Sequence, residues 1–412
     1  MTDDYFMSIA LKLAEKSLGS VAPNPAVGCI IVKNGMVIGE GYTGIGGRPH
    51  AEVVALQNAQ DLTHGATMYV TLEPCCHFGV TEPCTAEIIK SGIRKVVIAA
   101  IDPDNRVLGR GIKALVDGGI EVEQGIMQKE AEKLNVGFFT TKKLHRPFIA
   151  CKIATTLDGK IATFTGDSKW ITSKDTRNWV HELRAKYDAI MIGSSTLIND
   201  DPLLTCRLPG LEERSPIRLI IDSQAKLQEE HNIAKTADKI TTWVITNREI
   251  EKKIKNINYL IVNSNHKPPV IPDVTTIHSP VIPMPSPVIP VPRHWDPENF
   301  KQLRSENWIP VSSTGMTSDR KVCLKDMASK LVSEIGITRL LVEGGGVLIT
   351  ELLKHDLIDR LIIYRSGKIL GNDATPFIGN LEIESINNCH KFKKVEIIEF
   401  SEDVVEVWNK SQ

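Results

Sequence analysis

The sequence predicts an α/β protein built as two tandem domains. Three observations carry this. At about 150 residues per domain, 412 residues make two or three units, each long enough to bury its own core. Short apolar runs of strand type alternate with helical patterns along most of the chain. Near Arg146-Pro147, after a helix containing Ala131 to Leu134, the pattern starts afresh, so the domains are read as 1–145 and 146–412.

Residues 5–18 form an amphipathic helix, with Phe6, Ile9, Leu13 and Leu18 near one face. Pro23-Asn24-Pro25 is a rigid turn before the apolar run Val27 to Val32, and Asn34-Gly35 marks a hairpin into Met36-Val37-Ile38. Helices follow at 52–60, Ala86 to Ile89 and Gly111 to Val116, interleaved with strands Met68 to Leu72, Lys95 to Ala100 and Ile120 to Val122. In the second domain the expected strands are Phe148 to Ile153, Ala189 to Gly193, Ile217 to Asp222, Thr242 to Ile245, Arg339 to Val342 and Arg360 to Tyr364. Helices are expected at 174–186 and after Gly346. Residues 263–300 stand apart. Ten of the 22 prolines lie between Pro268 and Pro297, and Pro-Val-Ile-Pro occurs three times, which reads as an extended surface insertion or a docking segment for a partner.

Composition removes several classes of function. Lys+Arg is 49 and Asp+Glu is 50, and the first 146 residues hold 15 basic and 16 acidic residues, so the basic excess of a nucleic-acid binder is missing. No apolar run approaches the length of a membrane span. The acidic start Met1-Thr2-Asp3-Asp4 argues against a targeting peptide, and the few scattered cysteines suit a reducing cytoplasm.

Cys75, Cys76 and Cys84 are the exception to that scatter. His50 opens a helix, Pro74-Cys75 follows a strand, and Cys84 precedes the next helix. One imidazole and two thiolates make a three-ligand zinc shell that leaves a fourth position for water, and helix N-termini favour thiolate over thiol. Glu52, two residues after His50, can face the same pocket without being a ligand and move a proton between water and substrate. His-x-Glu followed by Pro-Cys-x-x-Cys is the pattern of nucleobase deaminases; here eight residues, with His77 among them, separate the cysteines. Cys76 competes with Cys75 as ligand, and Pro74 sets the register in favour of Cys75. His77 is expected as a substrate contact or as support for the ligands.

These stretches, with Pro23 to Gly28, Gly47 to Glu52, Thr71 to Gly79, Thr81 to Cys84 and Asp102-Pro103, resemble the bifunctional deaminase–reductases of riboflavin biosynthesis. The resemblance continues through Lys152-Ile153-Ala154, Leu157 to Lys160, Ser168 to Thr172, Gly193 to Thr196, Asn199 to Thr205 and Arg207. It implies a cytidine-deaminase-like three-layer domain followed by a dihydrofolate-reductase-like domain. The implied reactions are hydrolytic deamination of a phosphoribosylamino-diaminopyrimidinone at C2, then NADPH-dependent reduction of the ribosyl group to ribityl. In the first site it implies His50, Cys75 and Cys84 as zinc ligands, Glu52 as proton shuttle, and Asn24 and His77 as substrate contacts. Val80 stands where the family usually has Lys or Arg, a natural phosphate partner.

For the second site the loop Glu343-Gly344-Gly345-Gly346 between strand and helix suits a pyrophosphate, although it is not the Gly-x-Gly-x-x-Gly of a Rossmann domain. The resemblance assigns Ala154, Trp170, Thr196, Asp200, Ser223, Gly345, Gly346, Val347, Leu348, Ile349 and Thr350 to NADPH. It assigns Ser168, Arg184, Leu204, Arg207 and Glu343 to substrate, with the arginines as phosphate forks. Lys152, in a buried strand, is expected beside the substrate or Glu343. A homodimer with a small-molecule substrate is the implied assembly. Two rivals stand at this stage: a nucleoside or tRNA deaminase with an appended, partly degenerate reductase domain, and a non-catalytic regulator recruiting partners through the proline-rich segment.

Overall fold

The computed structural model describes residues 1–79, 81–263 and 322–411. Val80 and all of the proline-rich stretch beyond Asn263 lie outside the described residues.

The first half runs α1 (Asp3–Glu15), β1 (Gly28–Lys33), β2 (Met36–Tyr42), α2 (Ala51–Ala59), β3 (Thr67–Leu72), α3 (Cys84–Lys90), β4 (Lys95–Ala100), α4 (Arg110–Asp117), β5 (Glu121–Gln124), α5 (Gln128–Leu134) and α6 (Val136–Leu144). Thr2 caps α1 by accepting from the Tyr5 amide, and Asp3 and Asp4 favour its positive end. Its buried residues Phe6, Ala10, Leu13 and Ala14 recur at helical spacing, which turns one face inward. The sheet order is β2-β1-β3-β4-β5, with β1 antiparallel to both neighbours and β3, β4 and β5 parallel. β1 and β3 are buried almost throughout, as a sheet covered by helices requires.

Two glycines place the helix that bears the first site. A Cβ at Gly41 would lie 2.2 Å from the Ala51 carbonyl oxygen, and one at Gly39 would lie 2.3 Å from that of Ala55. β2 therefore presents bare backbone, and α2 rests directly on it.

The second half contains β6 (Phe148–Thr155), β7 (Lys160–Ala162), α7 (Lys174–Ala185), β8 (Ala189–Gly193), α8 (Ser194–Asp200), β9 (Ile217–Ile221), α9 (Asn232–Lys235), β10 (Thr242–Thr246), β11 (Ile257–Ile261), α10 (Leu324–Lys330), β12 (Arg339–Val342), α11 (Gly346–Lys354), β13 (Arg360–Ser366), β14 (Thr375–Pro376), β15 (Phe392–Glu399) and β16 (Asp403–Lys410). Nine strands form one sheet in the order β11-β10-β9-β8-β12-β6-β13-β16-β15. The seven from β11 to β13 are parallel, and β16 and β15 close it antiparallel. Apolar clusters cover both faces. The carboxyl ends of β6, β12, β8 and β9 therefore lie side by side, and ligands of open α/β sheets bind along that edge.

The halves touch through specific contacts. Arg214 donates to the Lys16 and Leu18 carbonyls beyond α1, at 2.5 and 2.9 Å, and Arg339 donates to the Leu134 carbonyl at 3.2 Å.

Candidate active sites

In the first half, His50 is the residue just before α2, Cys84 is the first residue of α3, and Cys75 lies in the connection between β3 and α3. His50 Nδ1 is 3.2 Å from Cys84 Sγ and 3.7 Å from Cys75 Sγ, and the three donor atoms all lie within 4.8 Å of one another. Zinc bonds of about 2.0–2.1 Å to nitrogen and about 2.3 Å to sulfur put tetrahedral donors about 3.5–3.8 Å apart, so this set fits a zinc ion. Among the described residues no other group of His, Cys, Asp and Glu is so arranged. Cys76 is directed elsewhere, its sulfur 3.7 Å from the Arg106 carbonyl oxygen.

The local electrostatics suit a metal thiolate. The Cys84 amide, at the N-terminus of α3, points at Cys75 Sγ from 3.3 Å. The hydrogen bond from Cys84 pulls the Cys75 thiol down to about 4, against the effect of burial and with help from His50. Cys84 is pushed up, by that same bond and then by burial. His50 is raised by its bond to Cys75. Glu52, on the first turn of α2, is 4% exposed, and burial raises its carboxyl while His50 opposes the rise.

Asn24 meets the same segment: a Cβ at Gly47 would lie 2.0 Å from Asn24 Nδ2. His77 Nδ1 is buried with no hydrogen-bond partner. Sequence reasoning gave no role to Glu73, which is buried and accepts the amides of Asp102, Gly109 and Ile112 at 3.0–3.2 Å. It also passed over Arg48, whose Nη1 donates to Thr81 Oγ1 at 2.7 Å. The signal for Arg48 was its place two residues before the histidine.

In the second half, Glu343 leaves the end of β12 and holds Arg184 of α7 by two bonds, Nε to Oε1 at 2.8 Å and Nη2 to Oε2 at 2.9 Å. A third Arg184 bond reaches the Thr205 carbonyl at 2.9 Å. Burial works against both charges, and their mutual attraction outweighs it. Three of the five Arg184 donors are thus committed, so the free phosphate fork expected of it is largely occupied. Arg207 is exposed, and its amide donates to His181 Nδ1 at 3.3 Å. Leu204 is buried and adopts φ 55°. Lys152 Nζ sits over the Tyr364 ring, 5.0 Å from its centroid. Burial lowers the Lys152 ammonium while Glu343 supports it.

The cofactor candidates gather along the sheet edge. Ala154 is on β6, Ser223 follows β9, and Thr196 on α8 accepts the Gly345 amide at 3.2 Å, which ties the ends of β8 and β12 together. Gly345 caps α11 and Gly346 opens it, with Val347 exposed and Leu348 half-buried beyond. Ile349 is buried in the core, and Thr350 Oγ1 is engaged with the Gly346 carbonyl and the Gly379 amide, so these two side chains turn away from the edge. Trp170 is 63% exposed under the Arg177 guanidinium, 4.3 Å from its ring centroid. Ser168 is half-buried nearby in sequence, and Asp200 ends α8 at the surface. Ala154, Thr196, Gly345 and Ser223 are all half-buried.

Residues 1–100 match the cytidine and deoxycytidylate deaminase zinc-binding region, and residues 147–406 match the RibD C-terminal domain. The chain is 38% identical to the riboflavin biosynthesis protein RibD of Aquifex aeolicus, over 98% of this chain and 97% of that one. The solved structure of Acinetobacter baumannii RibD superposes with a TM-score of 0.80 at 31% identity, covering 100% of this chain and 99% of that one. A diaminohydroxyphosphoribosylaminopyrimidine deaminase/5-amino-6-(5-phosphoribosylamino)uracil reductase from Thermotoga maritima gives a TM-score of 0.77 at 32% identity, covering 99% and 98%. With both halves and nearly its whole length shared, the chain belongs to the RibD family of riboflavin-biosynthesis proteins, which join a zinc-dependent deaminase and an NADPH-dependent reductase in one polypeptide.

Proposed function

We propose that residues 1–145 deaminate 2,5-diamino-6-(5-phosphoribosylamino)pyrimidin-4(3H)-one at C2 and that residues 146–412 reduce the ribosyl group of the product to ribityl. The observation that supports this most is the donor set of His50, Cys75 and Cys84 beside the buried Glu52, in a chain that also carries the buried Arg184–Glu343 pair.

Zinc, when held by His50, Cys75 and Cys84, supplies the Lewis acidity that lets water attack near neutral pH. Glu52 takes a proton from the attacking water and passes it to the departing amino group. The C2–N bond breaks, ammonia leaves, and the ring keeps a carbonyl. Its raised, desolvated carboxyl is suited to holding that proton between the two transfers. Asn24 and His77 orient the pyrimidine and the sugar.

In the second pocket NADPH supplies the hydride. Lys152, desolvated above Tyr364, gives the proton that the opened ribosyl oxygen needs as C1′ is reduced. Glu343, fixed by Arg184, and Ser168 and Leu204 position the sugar, and Arg207 faces its phosphate. Ala154, Trp170, Thr196, Asp200, Ser223 and the 345–348 segment hold the dinucleotide, which makes orientation the main contribution of the protein. The reading includes a cytoplasmic homodimer acting on a small molecule and on neither nucleic acid nor membrane.

Mass spectrometry of products formed from the diaminopyrimidinone phosphate, with and without NADPH, tests the order of the steps. Glu52→Gln should cut ammonia release by about 10²–10⁴-fold while NADPH oxidation with deaminated substrate continues. A parallel loss of both activities would contradict two independent sites.

A further inference from the structure

A substrate whose pyrimidine sits at the zinc site carries its phosphate away from the metal, toward the pocket mouth. A phosphate in that position needs a cation. Several cations of the first half are already engaged by carboxylates. Arg106 and Lys142 share Asp104, at 2.7 and 2.8 Å, and Lys90 is held by Glu82 at 2.7 Å. Arg48 has no carboxylate partner among the described residues. Its guanidinium reaches from the segment bearing His50 across to the loop after Cys75. There it donates to Thr81 Oγ1 at 2.7 Å, and its Nη2 lies 3.5 Å from where a Cβ on Gly79 would be. His77, in the same loop, holds a buried ring nitrogen without a partner. The loop's own residue 80 is valine and offers no charge.

We propose that Arg48 is the phosphate-recognising residue of the deaminase site, fixed by Thr81 and assisted by His77. This rests on the deaminase reading above and adds its specificity for a phosphorylated substrate. One wall of the pocket contributes the fork and the other orients it, so the phosphate bridges the two. Because Thr81 occupies one Nη1 proton, the remaining donors of the fork stay available for oxygen atoms.

The test uses the full-length, zinc-loaded protein and ammonia release from two substrates, the diaminopyrimidinone phosphate and its dephosphorylated counterpart. Arg48→Gln should raise KM for the phosphorylated compound by about 10–100-fold, the worth of one charge-assisted contact, with kcat nearly unchanged. The dephosphorylated compound should react as it does with the native protein, and NADPH oxidation on deaminated substrate should be unaltered, which reports an intact fold. Arg48→Lys should recover part of the loss. Inorganic phosphate should inhibit the native deaminase competitively and Arg48→Gln at least tenfold more weakly. Equal losses for both substrates, or an unchanged preference, would overturn the proposal. So would a selective loss in Arg110→Gln, an exposed cation of the same half without a carboxylate partner among the described residues, with none in Arg48→Gln. Absence of ammonia release from the native protein would instead remove the deaminase reading itself.

Discussion

At the residue scale, charge placement separates the two sites. The first gathers candidate metal donors, and the Cys75 sulfur is favoured as an anion by the thiol and amide of Cys84, with help from His50. The second stabilises charges by pairing them, and Arg184 and Glu343 are both about nine-tenths covered. Removing one partner from such a pair leaves a buried charge without compensation, which costs about 3–5 kcal/mol. Glu343→Gln should therefore lower the unfolding midpoint by several degrees and depress reductase turnover, with ammonia release less affected. Calorimetry together with the two assays checks this, and an unchanged midpoint would mean that Arg184 is not dependent on Glu343. Arg218 shows another solution to the same problem: it is fully buried with no ion-pair partner among the described residues, and its donors are spread over the carbonyls of Leu203, Ile233 and Ile240 and the hydroxyls of Thr236 and Thr242.

At the element scale, the first site depends on how close α2 comes to β2. A side chain at Gly41 has no space, since its Cβ would fall 2.2 Å from the Ala51 carbonyl oxygen, one residue past a proposed ligand. Gly41→Val should push α2 outward, cost about 1–3 kcal/mol in overpacking, and reduce bound zinc and deamination together. Metal content per chain against ammonia release is the measurement, with NADPH oxidation as the reference that stays near the native value. The long helices were readable near their observed bounds, whereas Val136–Leu144, Ser194–Asp200, Asn232–Lys235 and Leu324–Lys330 were not read. The pattern over 5–18 became Asp3–Glu15, that over 52–60 became Ala51–Ala59, and that over 174–186 became Lys174–Ala185. The strands β7, β11, β14, β15 and β16 were not read. β15 is exposed along most of its length and rich in Lys and Glu, so it lacks the alternation that marks a half-buried strand.

At the scale of the whole molecule, strand order brings distant segments to one edge. β12 lies between β8 and β6, which places Glu343 and Gly345 beside Thr196 and in line with Ala154. The proline-rich stretch interrupts this half between β11 and α10, yet the described residues that flank it meet. Cys323 donates to the Asn263 carbonyl at 2.9 Å, and Asn263 donates to Asp326 Oδ2 at 2.8 Å. Replacing 264–321 with a short Gly/Ser linker should thus leave both activities within about twofold of native, because ends already in contact need little chain to join them. Steady-state assays on the shortened protein decide it, and loss of reductase turnover would assign the segment a part in that site.

The sequence by itself pointed to His50, Cys75 and Cys84 as candidate zinc donors and to the carboxylate of Glu52 near them, and it determined the pairing of a deaminase with a reductase and most elements of both halves. These follow from residue types at short, fixed spacing, where the chain's own geometry limits what the groups can reach. The tertiary structure alone decided that Arg184 spends its fork on Glu343, 159 residues away, that Arg48 meets Thr81, and that Cys76 faces away from the metal site. Such contacts join residues that local spacing does not relate, so packing of sheet and helix, and not periodicity, chooses them.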